Sequence, residues 1–489
     1  MDGKRRVRAR GFIVRVRCFQ VEYAGVKGVS MNNLWKILSL TGVCAGLSVM
    51  GVMNVQAAEK ESQMVKDVAA SPTAVVEEVV SDGGVTAWLV RSPNLPMISM
   101  EVNFRAGAML EPKGKEGIAH LTAALMDEGA GEYDAREFRE ELDAIGARFG
   151  GSTDTQDLSV NMTTLSEHKQ RAFELVGLAM NQPRFDVDAV DRMKDSMLAD
   201  IRQGDEEPSN VAWRLFRPAL YGSHPYANSG EGSLASVSAL TRDDAKAWHE
   251  KWFTKSNMVV AVVGDITPEE LKPMLDLAFG KLPQGDGRAA IDHGPEVTTP
   301  AIIRKEMDVP QGTVLLGHLG MPRTDPDFSA MLLMNEILGG GVLTSRLGAD
   351  VREKHGLAYG VYSVNAPLPH NGMFYVSLAT GNDTVAKALE LVRKHLNGIR
   401  NEPVTQDEFD DAKAYLIGSF PLRLDSNSKL LGMISMMQSE GLPRDYLQTW
   451  PQKMAAVTRA DVQRVAKKLI HPDAMALVVV GQGKALEAK

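Results

Sequence analysis

Two stretches decide the reading of the fold: "LTRDDAKAWHEKWFTKSNMVVAVVGDI" (Leu240 to Ile266) and "VTRADVQRVAKKLIHPDAMALVVVGQG" (Val457 to Gly483). Aligned without gaps they lie 217 positions apart, and Thr241/Thr458, Arg242/Arg459, Asp244/Asp461, Met258/Met475 and Gly264/Gly481 coincide. Each begins with Thr and an Asp three positions on, the pattern of a capped helix start. Each then breaks briefly and ends in an apolar, β-branched run closing on glycine, which reads as a buried strand. The shared order of helix, loop and strand points to duplication, and a repeat this long implies two similar domains rather than a solenoid of short units.

Length agrees, because 489 residues exceed what one compact core accommodates. Between the two copies, "LPQGDGRAAIDHGPEVTTP" (Leu282 to Pro300) clusters Pro, Gly and charge without periodicity, as a linker does. The resulting boundaries are a leader at 1–57, an N-terminal domain at 58–285, a linker at 286–302 and a C-terminal domain at 303–489. Each half mixes alternating strands, "ISMEVNFRAGAML" and "GMFYVSLATG", with amphipathic helices such as "TVAKALELVRKHLNGI". Strands and helices do not alternate strictly, so the fold class is α+β rather than a doubly wound sheet.

The composition, 44% hydrophobic and 24% charged, is that of a globular chain. The first 57 residues carry nine Lys/Arg and two Asp/Glu, so the remainder holds a net charge of −15 within a total of −8. An acidic body of that size excludes a nucleic-acid footprint. Within the leader, "MNNLWKILSLTGVCAGLSVMGVMNVQAAEK" starts at Met31 with one lysine, continues through an apolar core from Ile37 to Met53, and ends in Val55-Gln56-Ala57, a small-residue cleavage site. A signal peptide over about 31–57 and a periplasmic location follow. A retained anchor is the alternative, at the minimum length for a membrane span. Residues 1–30 read as an upstream start assignment or a long basic leader. Both cysteines, Cys18 and Cys44, lie in the leader, so the exported chain has none, and Val43 spoils a lipoprotein box at Cys44.

"NEILGGGVLTSRLGADVREKHGLAYGVYS" (Asn335 to Ser363) resembles the second-domain signature of the insulinase/pitrilysin family of inverted zinc peptidases, in its processing-peptidase-like bacterial branch. "HPYANSGEGSLASVSALTRDDAKAWHEKWFTKSNMVVAVVGDI" resembles the end of that family's first domain, and the similarity runs from about Val85 to the C-terminus. The resemblance implies two homologous domains, each a mixed, mostly antiparallel sheet flanked by helices. It also implies a zinc motif, H-x-x-E-H on a helix, with a glutamate well downstream as third ligand. Residues i and i+4 of a helix share a face and can converge on one ion, while the i+3 glutamate polarises its water.

In "GIAHLTAALMDEGAG" (Gly117 to Gly131), His120 matches the first histidine, Ala123 the glutamate and Ala124 the second histidine. Asp200 matches the third ligand, one methylene short, 76 positions after Ala124. A catalytic zinc needs three protein ligands and an open position, and a methyl group neither binds metal nor takes a proton. His120 is therefore expected to be an ordinary helix residue, with no metal and no cofactor in this chain, and His224 a loop residue.

The family also uses an arginine and a tyrosine seven positions apart, matched here by Arg352 and Tyr359 in "REKHGLAY". A guanidinium and a phenol suit substrate holding and oxyanion stabilisation. Chemistry alone favours a surface ion pair for Arg352 and packing at a strand start for Tyr359; the resemblance reverses that order. Together these features imply a catalytically incomplete subunit of a periplasmic heterodimeric zinc metallopeptidase, without peptidase activity of its own. Arg352 and Tyr359 would act in trans with a related partner that carries zinc in an intact H-x-x-E-H, on a peptide substrate bound by strand addition. The alternative is a non-catalytic structural or peptide-binding protein of the same fold.

Overall fold

The computed structural model describes residues 74–290, 293–296 and 300–487. The leader and signal segment at 1–57 lie outside the described residues.

The duplicated stretch folds as its pattern requires. In helix Arg242–Trp252, Thr241 Oγ1 accepts from the Asp244 backbone N–H at 3.2 Å and Asp244 Oδ2 accepts from the Thr241 N–H at 2.9 Å. Helix Arg459–Leu469 repeats the arrangement with Thr458 and Asp461, at 3.2 and 3.0 Å. These capping boxes satisfy orphan donors at both helix starts. Single turns at Lys255–Asn257 and Pro472–Ala474 follow, then strands Met258–Gly264 and Ala476–Gly481.

Each half builds one sheet. The first contains β1 (Glu77–Val80), β2 (Thr86–Arg91), β3 (Met97–Phe104), β4 (Arg148–Thr153), β5 (Leu158–Leu165) and β6 (Met258–Gly264), in the order β1-β2-β6-β3-β5-β4. The second contains β7 (Ile302–Glu306), β8 (Gln311–Leu319), β9 (Ala358–Ala366), β10 (Met373–Gly381) and β11 (Ala476–Gly481), in the order β7-β11-β8-β10-β9. Among the described residues only β2–β6 and β7–β11 pair in parallel, and the repeat strand of each half takes part in one of them. The expected mixed, mostly antiparallel sheets are therefore present, and β4 and β9 form equivalent free edges.

Four helices position everything that follows: α1 (Ile118–Ala124), α2 (Val187–Glu206), α3 (Pro208–Tyr221) and α4 (Asn427–Ser439). Helix α3 comes from the first half but packs on β8 and β11 of the second sheet, while α4 from the second half packs on β3 and β6 of the first. Shifting α3 by the repeat interval of 217 lands on α4, so the exchange is reciprocal. It explains why both repeat strands are apolar along their whole length. In β6, Val260 and Val262 join the first-half core, whereas Ala261 and Val263 join the cluster that includes Ile434 and Met437 of α4. In β11, Leu477 and Val479 face their own helices, and Ala476, Val478 and Val480 lie with Phe216 and Leu220 of α3. A strand covered on both faces reads as a continuous hydrophobic run.

The exchange also corrects the simple reading of β3 as a strand with one apolar face. Ser99 and Asn103 are buried along with Met100 and Val102. Asn103 Nδ2 donates to Ser435 Oγ at 2.6 Å, and that hydroxyl donates to Glu101 Oε1 at 2.5 Å, so α4 supplies hydrogen-bond partners to the polar face of β3. On the other side, Phe216 sits over Gly317, where an added Cβ would lie 2.9 Å from its ring and 2.3 Å from the Phe374 carbonyl oxygen. Trp213 meets Tyr375 edge to face at 4.8 Å.

Because each sheet borrows a helix from the other half, the halves should unfold together. Phe216→Ala should destabilise the chain by about 3–5 kcal/mol, the usual range for emptying a buried phenylalanine site. Urea unfolding followed by tryptophan fluorescence and circular dichroism should give coincident single transitions for wild type and variant. Two separated transitions, with only the second sheet affected, would contradict the interlocked arrangement.

Candidate functional site

Helix α1 begins after Gly117, whose φ of +97° needs a glycine and whose Cβ would also press on Val237 at 3.1 Å. Its first turn is held from outside by Glu111. The carboxylate accepts from the backbone N–H of Gly117 at 3.1 Å and of Ala119 at 2.9 Å, and from Asn228 Nδ2 at 2.7 Å. The carboxylate thus answers two backbone donors at the turn into the helix, where a negative charge is also favoured. Burial nevertheless pushes the Glu111 carboxyl up to about 7, outweighing the lowering by its donors. The helix lies tight against edge strand β4: a Cβ on Gly151 would come within 2.2 Å of the Ala123 carbonyl oxygen.

This geometry brings His120 and Asp200 together. A cleft of about 250 Å³ is lined by His120, by Met197 and Asp200 of α2, by Asn210 and Arg214 of α3, and by Glu231. Burial lowers the His120 pKa from its ordinary 6.5, with Asp200 and Glu231 pulling it back upward. Ala124 is half-buried, while Ala123 is buried in the first-half core.

Arg214 is the feature that local pattern did not reveal. Its guanidinium pairs with Asp205, places Nε 3.4 Å from Glu231 Oε2, and lies so close over Gly204 that a Cβ there would meet it at 2.6 Å. One imidazole, one short carboxylate on α2 and a second carboxylate engaged by an arginine do not make a zinc centre. Among the described residues no group of three or more His, Cys, Asp or Glu side chains could hold a metal ion. The residues present do not fit a catalytic zinc.

Arg352 and Tyr359 also come together, away from that cleft. Arg352 lies in a wide helical turn, Gly348–Lys354, and Tyr359 is the second residue of β9. The guanidinium carbon stands 4.8 Å from the Tyr359 ring centre, a cation–π contact, and Arg352 Nε is 3.4 Å from Glu353. The tyrosine is 87% exposed. Neither residue lines the His120 cleft. His224 has a local role: its Nδ1 accepts from the Tyr226 N–H at 3.2 Å, and its Nε2 lies 3.2 Å from the His293 carbonyl oxygen.

Two sheet-and-helix halves, with a cleft at His120 whose residues do not fit a catalytic zinc, define a peptidase-like chain that is catalytically incomplete. The chain belongs to the insulinase family, peptidase family M16. The family described as "Insulinase (Peptidase family M16)" matches residues 87–232, and "Peptidase M16 inactive domain" matches 239–416. The second match begins before Met258–Gly264, the strand that completes the first sheet. A Pseudomonas fluorescens structure, "peptidase M16 inactive domain", is 30% identical with a TM-score of 0.79, covering 83% of this chain and 98% of that one. A Helicobacter pylori protein named "Non-peptidase homolog YmxG" is 27% identical over 416 residues, 84% of this chain and 95% of its own. A Bacillus subtilis protein named "Uncharacterized zinc protease YmxG" is 25% identical over 357 residues, 73% of this chain and 86% of its own.

The His120–Asp200 proximity has a direct test. An imidazole whose folded pKa lies below 6.5 takes up its proton later than in the unfolded chain. It therefore removes stability as pH falls through 6.5 toward the folded value. NMR titration should place His120 below 6.5, and Asp200→Asn should lower it further by removing a carboxylate that raises it. An unchanged His120 titration in Asp200→Asn would show that the two side chains do not share the cleft.

Proposed function

We propose that this chain is the zinc-free subunit of an exported two-subunit peptidase, completing a partner's zinc site with Arg352 and Tyr359. The observation that carries this reading is the contrast between its two pairs. The His120 cleft lacks the donors for zinc, whereas Arg352 and Tyr359 are stacked together on a free sheet edge with the phenol open to an incoming chain. The partner is a related subunit with an intact H-x-x-E-H and its zinc, and the substrate is a peptide.

In that arrangement the Tyr359 hydroxyl donates to the oxyanion that forms at the scissile carbonyl, and Arg352 holds substrate backbone carbonyls. The stack with Arg352 fixes the ring without using its O–H, so the donor stays available. An extended peptide has main-chain groups to pair with at a free edge, which β4 offers beside α1 and β9 offers at Tyr359. The location we propose is the periplasm, reached through a signal peptide at about 31–57. A non-catalytic structural or peptide-binding role is the second reading, and the name of the Helicobacter pylori relative, "Non-peptidase homolog YmxG", supports its non-catalytic part.

Activity separates the two. Alone, this chain should hydrolyse no peptide. With the zinc-bearing partner, Arg352→Ala and Tyr359→Phe should each lower kcat on the order of 10²–10³-fold, the usual loss of an oxyanion donor, while assembly persists. Full activity of both variants in an intact complex would leave only the second reading.

A further inference from the structure

The guanidinium of Arg352 has little of its own to hold it in place. Among the described residues its side chain meets only Glu353, 3.4 Å from Nε, and the face of the Tyr359 ring. The Tyr359 hydroxyl has no hydrogen-bond partner among the described residues, and the ring is open to solvent. The stacking of the two side chains is therefore set by the backbone segments that carry them.

The segment of Tyr359 is fixed by the sheet. Thr380 Oγ1 donates to the Leu357 carbonyl oxygen, and Ala358 pairs with Thr380 across β9 and β10. Tyr359 and Gly360 then stand together opposite Ala379 alone, a β-bulge, and both are exposed. Such bulges re-aim a side chain at a strand edge.

The segment of Arg352 is the wide turn Gly348–Lys354, a geometry that is rare and concentrated at functional sites. Its backbone bonds run from the His355 N–H to the Asp350 carbonyl at 3.2 Å and from the Leu357 N–H to the Val351 carbonyl at 3.0 Å. Asp350 anchors this turn. It is buried, and its Oδ2 accepts from His395 Nε2 at 2.7 Å and from Lys394 Nζ at 3.4 Å. Both donors belong to helix Val385–Asn401, which buries Leu391, Val392 and Leu396 in the core. From the turn itself, His355 Nδ1 donates to the Asp350 carbonyl oxygen at 2.8 Å and lies 3.2 Å from Oδ1, and Lys354 Nζ lies 3.8 Å from Oδ1.

Four residues before Asp350, Arg346 makes a two-pronged pair with Glu408 at 2.7 and 2.9 Å. Residues four apart share a helix face, so Arg346 and Asp350 tie one side of the segment to neighbouring helices. Arg352 is left on the side toward Tyr359. Burial alone would raise the Asp350 carboxyl, but the hydrogen bonds from His395 and Lys394 outweigh it and hold it below the ordinary carboxylate value. Where only packing is needed, an apolar side chain avoids the desolvation that a buried carboxylate suffers. What the carboxylate adds is a directed, charge-assisted bond.

We propose that Asp350, locked to His395, is the positioning residue of the Arg352–Tyr359 pair, holding the wide turn so that the guanidinium stays over the ring. Its consequence for catalysis rests on the peptidase reading; the positioning itself does not, and is measured on this chain alone.

The experiment is NMR of the isolated full chain with isotope-labelled arginine. The Tyr359 ring should shift the Arg352 side-chain protons upfield of their position in Tyr359→Leu. His395→Ala and His395→Leu, one smaller and one of similar volume, should each lose most of that shift. His395→Gln, whose amide keeps a donor in place of the imidazole Nε2, should retain it. Folded His395→Ala or His395→Leu chains with the full Arg352 shift would overturn the proposal, as would a loss in His395→Gln as complete as in His395→Ala. A wild type without the Arg352 shift would overturn the stacked pair itself. With the zinc-bearing partner, His395→Ala should lower kcat on the order of 10²-fold, the usual cost of misplacing a catalytic group by about 1 Å. Full activity there, with the Arg352 shift lost, would contradict the peptidase reading and leave the positioning standing.

Discussion

The structure depends on the reciprocal exchange of α3 and α4. Each sheet has one face covered by its own helices and the other by a helix from the opposite half. The duplicated sequence therefore builds one interlocked body between Ala74 and Glu487. Large side chains set the contact on one side, Phe216 over Gly317 and Trp213 against Tyr375. On the other side it is a short polar chain, Asn103 to Ser435 to Glu101. Large apolar burial supplies affinity between the halves, and the directed hydrogen bonds of this polar chain supply register.

The same two helices shape two cavities. Helix α3 carries Asn210 and Arg214 into the His120 cleft, and the end of α4 supplies Gln438, Ser439 and Glu440 to a cavity of about 480 Å³ at the seam between the halves. In the cleft, Arg214 puts a fixed positive charge near the carboxylates of Asp205 and Glu231. The Ala123 backbone approaches Gly151 so closely that no side chain fits at position 151 without rearrangement of α1 against β4.

Much of this was legible in the order of residues, for identifiable reasons. Capping boxes at Thr241 and Thr458 are local, so three residues announce each helix start. The apolar repeat strands announced strands buried on both faces. They could not say what lies on each face, because an amphipathic helix such as α3 reveals that it has a buried side and not which sheet receives it. Ser99, Glu101 and Asn103 look like an exposed edge of alternation until α4 covers them. At the site, His120 and Asp200, which their spacing matched to the family pattern, line one cleft. Glu111, Arg214 and the pairing of Asp157 with Arg105 and Arg288 were not legible. Their partners lie far along the chain and follow no periodicity; Arg288 sits in what reads as linker.

The central claim, that this chain supplies half of a site whose metal belongs to another subunit, is tested most directly by metal analysis of the native complex. The protein would be purified from its source under mild conditions through a tag on this chain, and zinc measured before and after the copurified subunit is removed. One zinc per pair of chains, leaving entirely with the related subunit, is the expected result. Stoichiometric zinc remaining with this chain, or a preparation containing this chain alone, would contradict it.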